Sequence, residues 1–370
     1  MILQISRQSL LKTLQLIDKH IPSKTSRIEE QYIRIEVDYY NLVISTTGSI
    51  KYTGIFTSEE IPFQSDSNGY FCIHIKNFFR ILHTSDSEII TIKPSEEIIE
   101  IVLRDSVYQF NNIVDFKYEK DELTKICVIN KQDLIDSFLH CKSIIAGNTI
   151  ELNELIHFKI SQNKCTIENT NKRNIIFNQF DCINLYEDID ITINSDSLNL
   201  TDLFNSFEKE IFVYNSENYL AFKSEDKQVS CIKQDKYFPA TEQLIQIFNN
   251  IKHTIILNKK VFLQAIERGL ILRSNNKDVQ FGKLTILQDR IILETQTQEY
   301  GNTKEIIKTK NDIEDKHELF FNLMQVKSII RTLATENIQL SFINAQQPLY
   351  ILEYPKTQIT NINITAQARG

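Results

Sequence analysis

The residues best suited to chemistry are scattered, and none forms a recognised catalytic set. The seven histidines are His20, His74, His83, His140, His157, His253 and His317. No two share a helix face at metal-ligand spacing, and none opens an H-E-x-x-H. Phosphate-cradling G-x-x-x-x-G-K and G-x-G-x-x-G loops are absent, as is the G-x-S-x-G turn, in a chain with only 8 glycines. Carboxylate neighbours such as Glu59-Glu60, Glu96-Glu97 and Asp188/Asp190 fall in turns or at strand edges, where solvation accounts for them. His157 lies in a strand and reads as a hydrogen-bonded core histidine. The cysteines at 72, 127, 141, 165, 182 and 231 have no C-x-x-C spacing, and four sit in apolar strand-like runs. Buried free thiols of a reducing compartment are expected. These features point away from an enzyme, a metal centre or a bound cofactor.

The basic residues are better organised. Six helical stretches are predicted at 6–20, 75–83, 131–145, 195–207, 258–273 and 322–334, and together they carry 13 Lys or Arg against 6 Asp or Glu. The whole chain has 41 Lys or Arg and 48 Asp or Glu, a net charge of -7, so the remainder is strongly acidic. A basic set of helices within an acidic protein suits a phosphate-facing surface whose other faces repel nucleic acid. The bland alternative is that Lys and Arg simply solvate helices, and the uncharged-to-acidic fourth helix supports it.

The elements that position these cations repeat. A β-branched run ends at one polar residue, which caps a helix of apolar period 3.6. The caps are Ser6, His74, Asn130, Asn194, Asn258 and Asn322, separated by 68, 56, 64, 64 and 64 residues. Period-two strands follow each helix, for example Tyr32 to Val37 and Lys51 to Thr57. One helix with a few strands leaves an apolar face open, and pairing two such units closes it. The expected architecture is therefore α+β, with three similar domains at 1–120, 121–247 and 248–370. Each contains two βαβββ-type repeats, with helices on one side and antiparallel sheets on the other. No apolar run is long enough to span a bilayer, and no secretory leader is recognisable.

Specific residues resemble a known family. Arg7-x-x-Leu10-Leu11-Lys12-x-Leu14-Gln15 resembles the first helix of the bacterial DNA polymerase III beta subunit, the beta sliding clamp. Phe78-Phe79-x-Ile81 resembles its second helix, Lys236-Tyr237-Phe238-Pro239 the turn ending its second domain, and Phe262-Leu263-Gln264-Ala265 to Ile271-Leu272 its fifth helix. The resemblance implies the DNA-clamp fold and a homodimeric ring that encircles duplex DNA without reading sequence. Such a ring is a processivity factor for the replicative DNA polymerase. Its implied partners are the clamp loader and repair proteins with clamp-binding peptides, and its implied place is the cytoplasm, at the nucleoid. It implies no cofactor and no membrane contact.

By position, DNA would meet Lys12, Lys24, Arg80, Lys142, Asn148, Thr149, Lys259, Arg268 and Lys327. A peptide pocket between domains two and three would be lined by Leu152, Thr170, Ile175, Pro239, Leu244, Ile364 and Arg369. The dimer contact would use Phe78, Ile81, Leu82 and Phe110 against Ile271 and Leu272, all of which ordinary core packing could also claim. The chain departs from the family at the pocket. The Thr-Asp-Gly-His-Arg turn appears as Thr170-Asn171-Lys172-Arg173-Asn174, and the C-terminal ending as Ala366-Gln367-Ala368-Arg369. That leaves open an altered peptide preference and an accessory or mobile-element clamp. A repeat-built protein scaffold that never encircles DNA is the alternative.

Overall fold

The computed structural model describes residues 1–22, 25–112, 114–116, 122–144, 155–171, 173–272, 281–297, 301–357 and 359–367. In chain order, β1 is Leu3–Ser6, α1 Arg7–Asp18, β2 Tyr32–Val37, β3 Asn41–Thr46, β4 Ile50–Thr57 and β5 Phe63–Ser65. Then come β6 Gly69–His74, α2 Ile75–Thr84, β7 Ile89–Pro94, β8 Ile98–Val102 and β9 Val107–Asn111. Next are β10 Thr124–Asn130, α3 Lys131–Lys142, β11 Leu155–Ser161, β12 Lys164–Thr170, β13 Asn174–Asp181 and β14 Ile189–Asn194. They are followed by α4 Thr201–Phe204, β15 Glu210–Asn215, β16 Tyr219–Lys223, β17 Lys227–Ile232 and α5 Glu242–Phe248. The last third holds β18 His253–Asn258, α6 Lys259–Gly269, β19 Phe281–Ile286, β20 Arg290–Thr297, β21 Gly301–Lys308 and β22 His317–Asn322. It ends with α7 Leu323–Thr332, β23 Asn337–Phe342, β24 Leu349–Tyr354 and β25 Thr360–Thr365.

The cap-then-helix pattern is realised locally. Asn258 Oδ1 accepts from Val261 N at 3.1 Å, and Asn322 Oδ1 accepts from Met324 N and Gln325 N at 3.0 and 3.2 Å. His74 Nδ1 accepts from Asn77 N at 3.4 Å. These bonds satisfy first-turn amides that have no intrahelical partner. Ser6 occupies the same position without a side-chain cap bond. Each helix buries one stripe: Leu10, Leu14 and Ile17 on α1, and Phe262, Ala265, Ile266 and Gly269 on α6. The fourth predicted helix is different. Residues 195–200 wind as a 3-10 turn, and α4 is only 4 residues long. Asn194 Oδ1 takes Asp196 N at 2.8 Å, and the Ser197 hydroxyl donates to Asn194 O at 2.7 Å. Short polar side chains compete there for the backbone groups an α-helix would use.

Apart from β5, which pairs with the outer side of β1, the strands fall into six antiparallel sets of four, in the orders β6-β2-β3-β4, β1-β7-β8-β9, β14-β11-β12-β13, β10-β15-β16-β17, β22-β19-β20-β21 and β18-β23-β24-β25. Each set begins on the strand that leads into the partner repeat's helix. The sets then join through their last strands. β4 pairs β17 from Gly54↔Lys227 to Ile50↔Cys231, and β13 pairs β25 from Asn174↔Thr365 to Gln179↔Thr360. Two eight-stranded sheets result.

The chain forms two compact units: residues 1–131, 183–187 and 199–233, and residues 132–182, 188–198 and 234–370. The predicted second domain therefore contributes to both, because β17 continues one sheet and β13 the other. In the first unit α1 packs on α2 and α4; in the second α6 packs on α7. All six cysteines are buried and free. No helix of the described residues is long and apolar enough to cross a membrane.

Candidate nucleic-acid and peptide interfaces

A cation at the start of a helix has a structural duty three times over. Arg7 opens α1; its backbone N donates to Glu88 O at 3.0 Å, and its guanidinium donates to Leu82 O and Ser87 O at 2.8 and 2.7 Å. Lys131 opens α3; its N donates to Lys209 O at 2.9 Å and its Nζ to Phe207 O at 2.7 Å. Lys259 opens α6; its N donates to Glu336 O at 2.9 Å and its Nζ to Leu333 O at 2.6 Å. Each places positive charge on carbonyls at the end of the paired helix, where the helix dipole is negative. Lys259 is therefore withdrawn from the candidate DNA set.

Two further candidates are partly neutralised. Arg268 pairs with Glu305 at 2.7 Å, which holds its charge more firmly still. Lys327 and Arg331 converge on Glu267 at 3.3 and 2.6 Å, and these partners hold that carboxyl below its usual value, the Arg331 hydrogen bond contributing most. Lys12, Arg80 and Lys142 stay exposed and make no ion pair among the described residues. Lys24, Asn148 and Thr149 lie outside the described residues, as do Leu152 and Arg369 of the peptide pocket.

The candidate dimer residues divide. Phe78 and Leu82 are 0% exposed, so both are corrected to core: with Ile75 they form the buried stripe of α2. Ile81, Phe110 and Leu272 are half-buried, and Ile271 is 74% exposed. More telling are the two sheet edges near these residues. Of the six last strands, β9 and β21 alone remain unpaired on their outer sides among the described residues. β9 reads Val-Tyr-Gln-Phe-Asn, with Val107 and Tyr108 exposed and no charge along it.

Of the described peptide-pocket candidates, Ile175 and Ile364 lie on one face of the β13-β25-β24 junction, and Leu244 packs against them. Alternate residues Ile175 and Phe177, Ile362 and Ile364, and Tyr350 and Leu352 form a buried apolar cluster. The segment after β17 crosses this face. Leu244, Ile245, Ile247 and Phe248 of α5, with Ile251, pack on the cluster. The Tyr350 hydroxyl donates to Leu244 O at 3.0 Å. Thr170, Ile175 and Ile364 are thus nearly closed off at 3%, 9% and 2% exposure, whereas Pro239 and Leu244 remain half-exposed. In the altered turn, Asn171 Oδ1 accepts from Arg173 N and Asn174 N at 3.1 and 2.8 Å, and Ala366 N donates to Arg173 O at 2.7 Å. An asparagine side chain that folds the turn by itself makes a glycine there unnecessary.

Sequence reasoning missed how the connector is fastened. His157 Nδ1 lies 2.8 Å from Glu168 Oε2 and its Nε2 2.7 Å from Asp190 Oδ1, so Asp190 is not merely solvated. Phe238 stacks on the imidazole at 4.8 Å. Thr241 donates to the other Glu168 oxygen, and Lys159 pairs with Glu242 at 2.9 Å. Burial opposes the imidazolium, but the bonds to Glu168 and Asp190 outweigh it and hold His157 above its usual value. Only strand register brings these three positions together: His157 lies opposite Glu168 on β12 and next to the Lys159↔Asp190 pair on β14. Among the described residues no His, Cys, Asp and Glu cluster could hold a metal.

Comparison with known proteins agrees with this geometry. Residues 247–366 match the family model described as DNA polymerase III beta subunit, C-terminal domain. The beta sliding clamp of Halalkalibacterium halodurans is 25% identical over 163 residues, 44% of this chain and 42% of that relative. Structures superpose over the whole length. A DNA polymerase sliding clamp from Bacillus subtilis has a TM-score of 0.88 at 18% identity, covering 100% of this chain and 99% of its own. The polymerase beta subunit of Streptococcus pyogenes has a TM-score of 0.88 at 16% identity, with 100% of both chains covered. At such identities these likenesses establish the fold.

Proposed function

We propose that this chain, a divergent member of the DNA polymerase III beta subunit family by its C-terminal domain and by its fold throughout, is a DNA polymerase processivity factor that works as a homodimeric ring. The observation that carries this is the unused pair of last strands. Within the chain, last strand joins last strand twice, β4 to β17 and β13 to β25. A third junction of the same kind needs β9 and β21, and a second copy supplies the missing strand to each. β9 is an uncharged, β-prone edge, which natural proteins seldom leave open. The contact is heterologous, with different surfaces meeting, and it closes only when its rotation returns to the start. Two copies of three paired domains would then close one ring.

A closed ring is retained on DNA by topology. Phosphate contacts from Lys12, Arg80 and Lys142 would be weak and indifferent to sequence, so the ring slides. The family's partner peptides, from polymerase, clamp loader and repair proteins, would enter beside α5 at Pro239 and Leu244, as an extended strand laid along an apolar groove. The work is tethering, without catalysis.

Negative-stain imaging of the purified protein tests the proposal. A flat six-lobed ring with a hole wide enough for a duplex is expected. Rods or open three-lobed arcs at every concentration would refute the homodimeric ring and favour a protein-only scaffold.

A further inference from the structure

The connector between β17 and β18 does more than join two strands. It forms the outer wall of the apolar cluster named above, and polar groups at its N-terminal half hold it in place. Gln234 N donates to Thr192 O at 2.9 Å, and the Thr192 hydroxyl donates to Gln234 O at 2.6 Å. Phe238, 8% exposed, lies flat on His157 with 18° between the rings. Thr241 hydrogen-bonds Glu168, and Lys159 reaches Glu242. Beyond these points, among the described residues, apolar packing and the Tyr350 hydroxyl hold α5. The hub is Glu168. It is 4% exposed and its two oxygens serve two elements, one bound to His157 and the other to Thr241 of the connector.

We propose that His157, Glu168 and Asp190 form a proton-dependent latch that positions the connector, and through it the α5 wall of the peptide groove. The groove part rests on the function proposed above. A doubly protonated imidazole donates from both ring nitrogens and so satisfies both carboxylates. A neutral imidazole keeps one N–H, so one carboxylate faces an unprotonated ring nitrogen. Glu168 is buried and Asp190 exposed, so the neutral ring keeps its proton on Nδ1 toward Glu168 and gives up Asp190, and the bond that fastens Glu168 loses its charge assistance and weakens. The charged groups facing the imidazole are Glu168 from β12 and Asp190 from β14. Lys159 of β11 and Glu242 of α5 form the next pair outward, and Phe238 closes the ring face.

The sign follows from linkage. His157 is held above its usual value, so the latch is complete below about pH 6.5 and loosens as pH rises through the folded value. A loosened connector exposes Leu244 and the cluster beneath it. The groove would therefore accept apolar side chains more readily at alkaline than at neutral pH. This effect is opposite to a general loss of structure, which would weaken binding.

Hydrogen exchange of the connector amides at 236–251, corrected for intrinsic pH dependence, reads the latch without any ligand. For the full chain, exchange is expected to rise at least about threefold from pH 6.5 to 9. In His157→Gln it is expected to be high and flat. Asp190→Asn, at an exposed site, should shift the transition to lower pH, and it keeps the test decisive if His157→Gln does not fold. Equal pH profiles in all three proteins would overturn the latch. A labelled hexapeptide carrying adjacent Leu and Phe, followed by anisotropy over the same range, reads the groove. Exchange that follows His157 with tighter peptide binding at high pH supports both parts. Exchange that follows His157 with no peptide binding at any pH keeps the latch and overturns the groove reading.

Discussion

If two copies close a ring by pairing β9 with β21, a proline at Gln109 should open it while leaving each chain folded. In the β8-β9 hairpin, Leu103 N donates to Ser106 O and Asn112 N to Glu97 O. Antiparallel pairs alternate between bonded and non-bonded, so Tyr108 and Phe110 bond inward to β8 while Val107, Gln109 and Asn111 direct their N–H groups at the free edge. Proline at 109 thus removes an edge donor without breaking the β8 ladder, a position where edge strands tolerate it. Against a second copy it removes one ladder bond, leaves a carbonyl unpaired and adds ring bulk, together about 2 kcal/mol. A closed dimer contains the junction twice, so the dissociation constant should rise by about 10³, corresponding to about 4 kcal/mol. Sedimentation equilibrium over a wide concentration range measures this, and the far-ultraviolet dichroism of the variant should match that of the parent. Tyr108→Pro, which breaks the inward ladder, should instead unfold the local sheet. A Gln109→Pro protein with the parent's dissociation constant would refute the edge-pairing argument. So would one that loses structure as Tyr108→Pro does.

The remaining expectations concern other parts of the chain. Lys259→Met removes the charge from Leu333 O but keeps the stem, and should cost about 1 kcal/mol, read as a lower thermal midpoint. A change of sign would show that the cation does not stabilise the end of α7. Lys12→Glu with Arg80→Glu should shorten retention on nicked circular DNA after loading and flatten its salt dependence by about one power for each phosphate no longer neutralised. Retention equal to the parent's at every salt concentration would remove both from the DNA surface. His253 lies 4.4 Å from His317 and stacks on Phe342; burial, then the neighbouring His317 and Lys252, hold it below its usual value. A depressed histidine contributes stability above about pH 6.5 that is lost as pH falls through the folded value. Urea midpoints should therefore fall from pH 7.5 to pH 5 less steeply in His253→Gln than in the parent, and parallel slopes would refute this.

Much of the organisation was legible in the chain. The six polar positions and their spacing carry the repeat, because a helix start favours a short polar acceptor and a helix needs its period, although the side-chain cap bond is made at His74, Asn258 and Asn322 and not at Ser6. Asn258 and Asn322 cap as their sequence context demands. The basic bias of the helices was legible too, but its use was not. Lys259 and Lys12 look alike in sequence, and only the paired repeat, bringing Leu333 O to 2.6 Å, separates a structural cation from an exposed one. Phe78 and Ile81 sit three residues apart on α2, yet the first is core and the second half-exposed, which a stripe of period 3.6 leaves undecided at its margin.

What the sequence determined by itself is the local grammar: strand, cap, helix, strands, repeated, because propensity and period act over a few residues. The tertiary structure alone decided which strands meet. Pairing β4 with β17 and β13 with β25 is a choice among edges that local pattern cannot make, since any period-two strand can pair with any other. That choice leaves β9 and β21 without a neighbour on their outer sides among the described residues, while the pairing of β11 with β12 and β14 sets Glu168 and Asp190 on either side of His157.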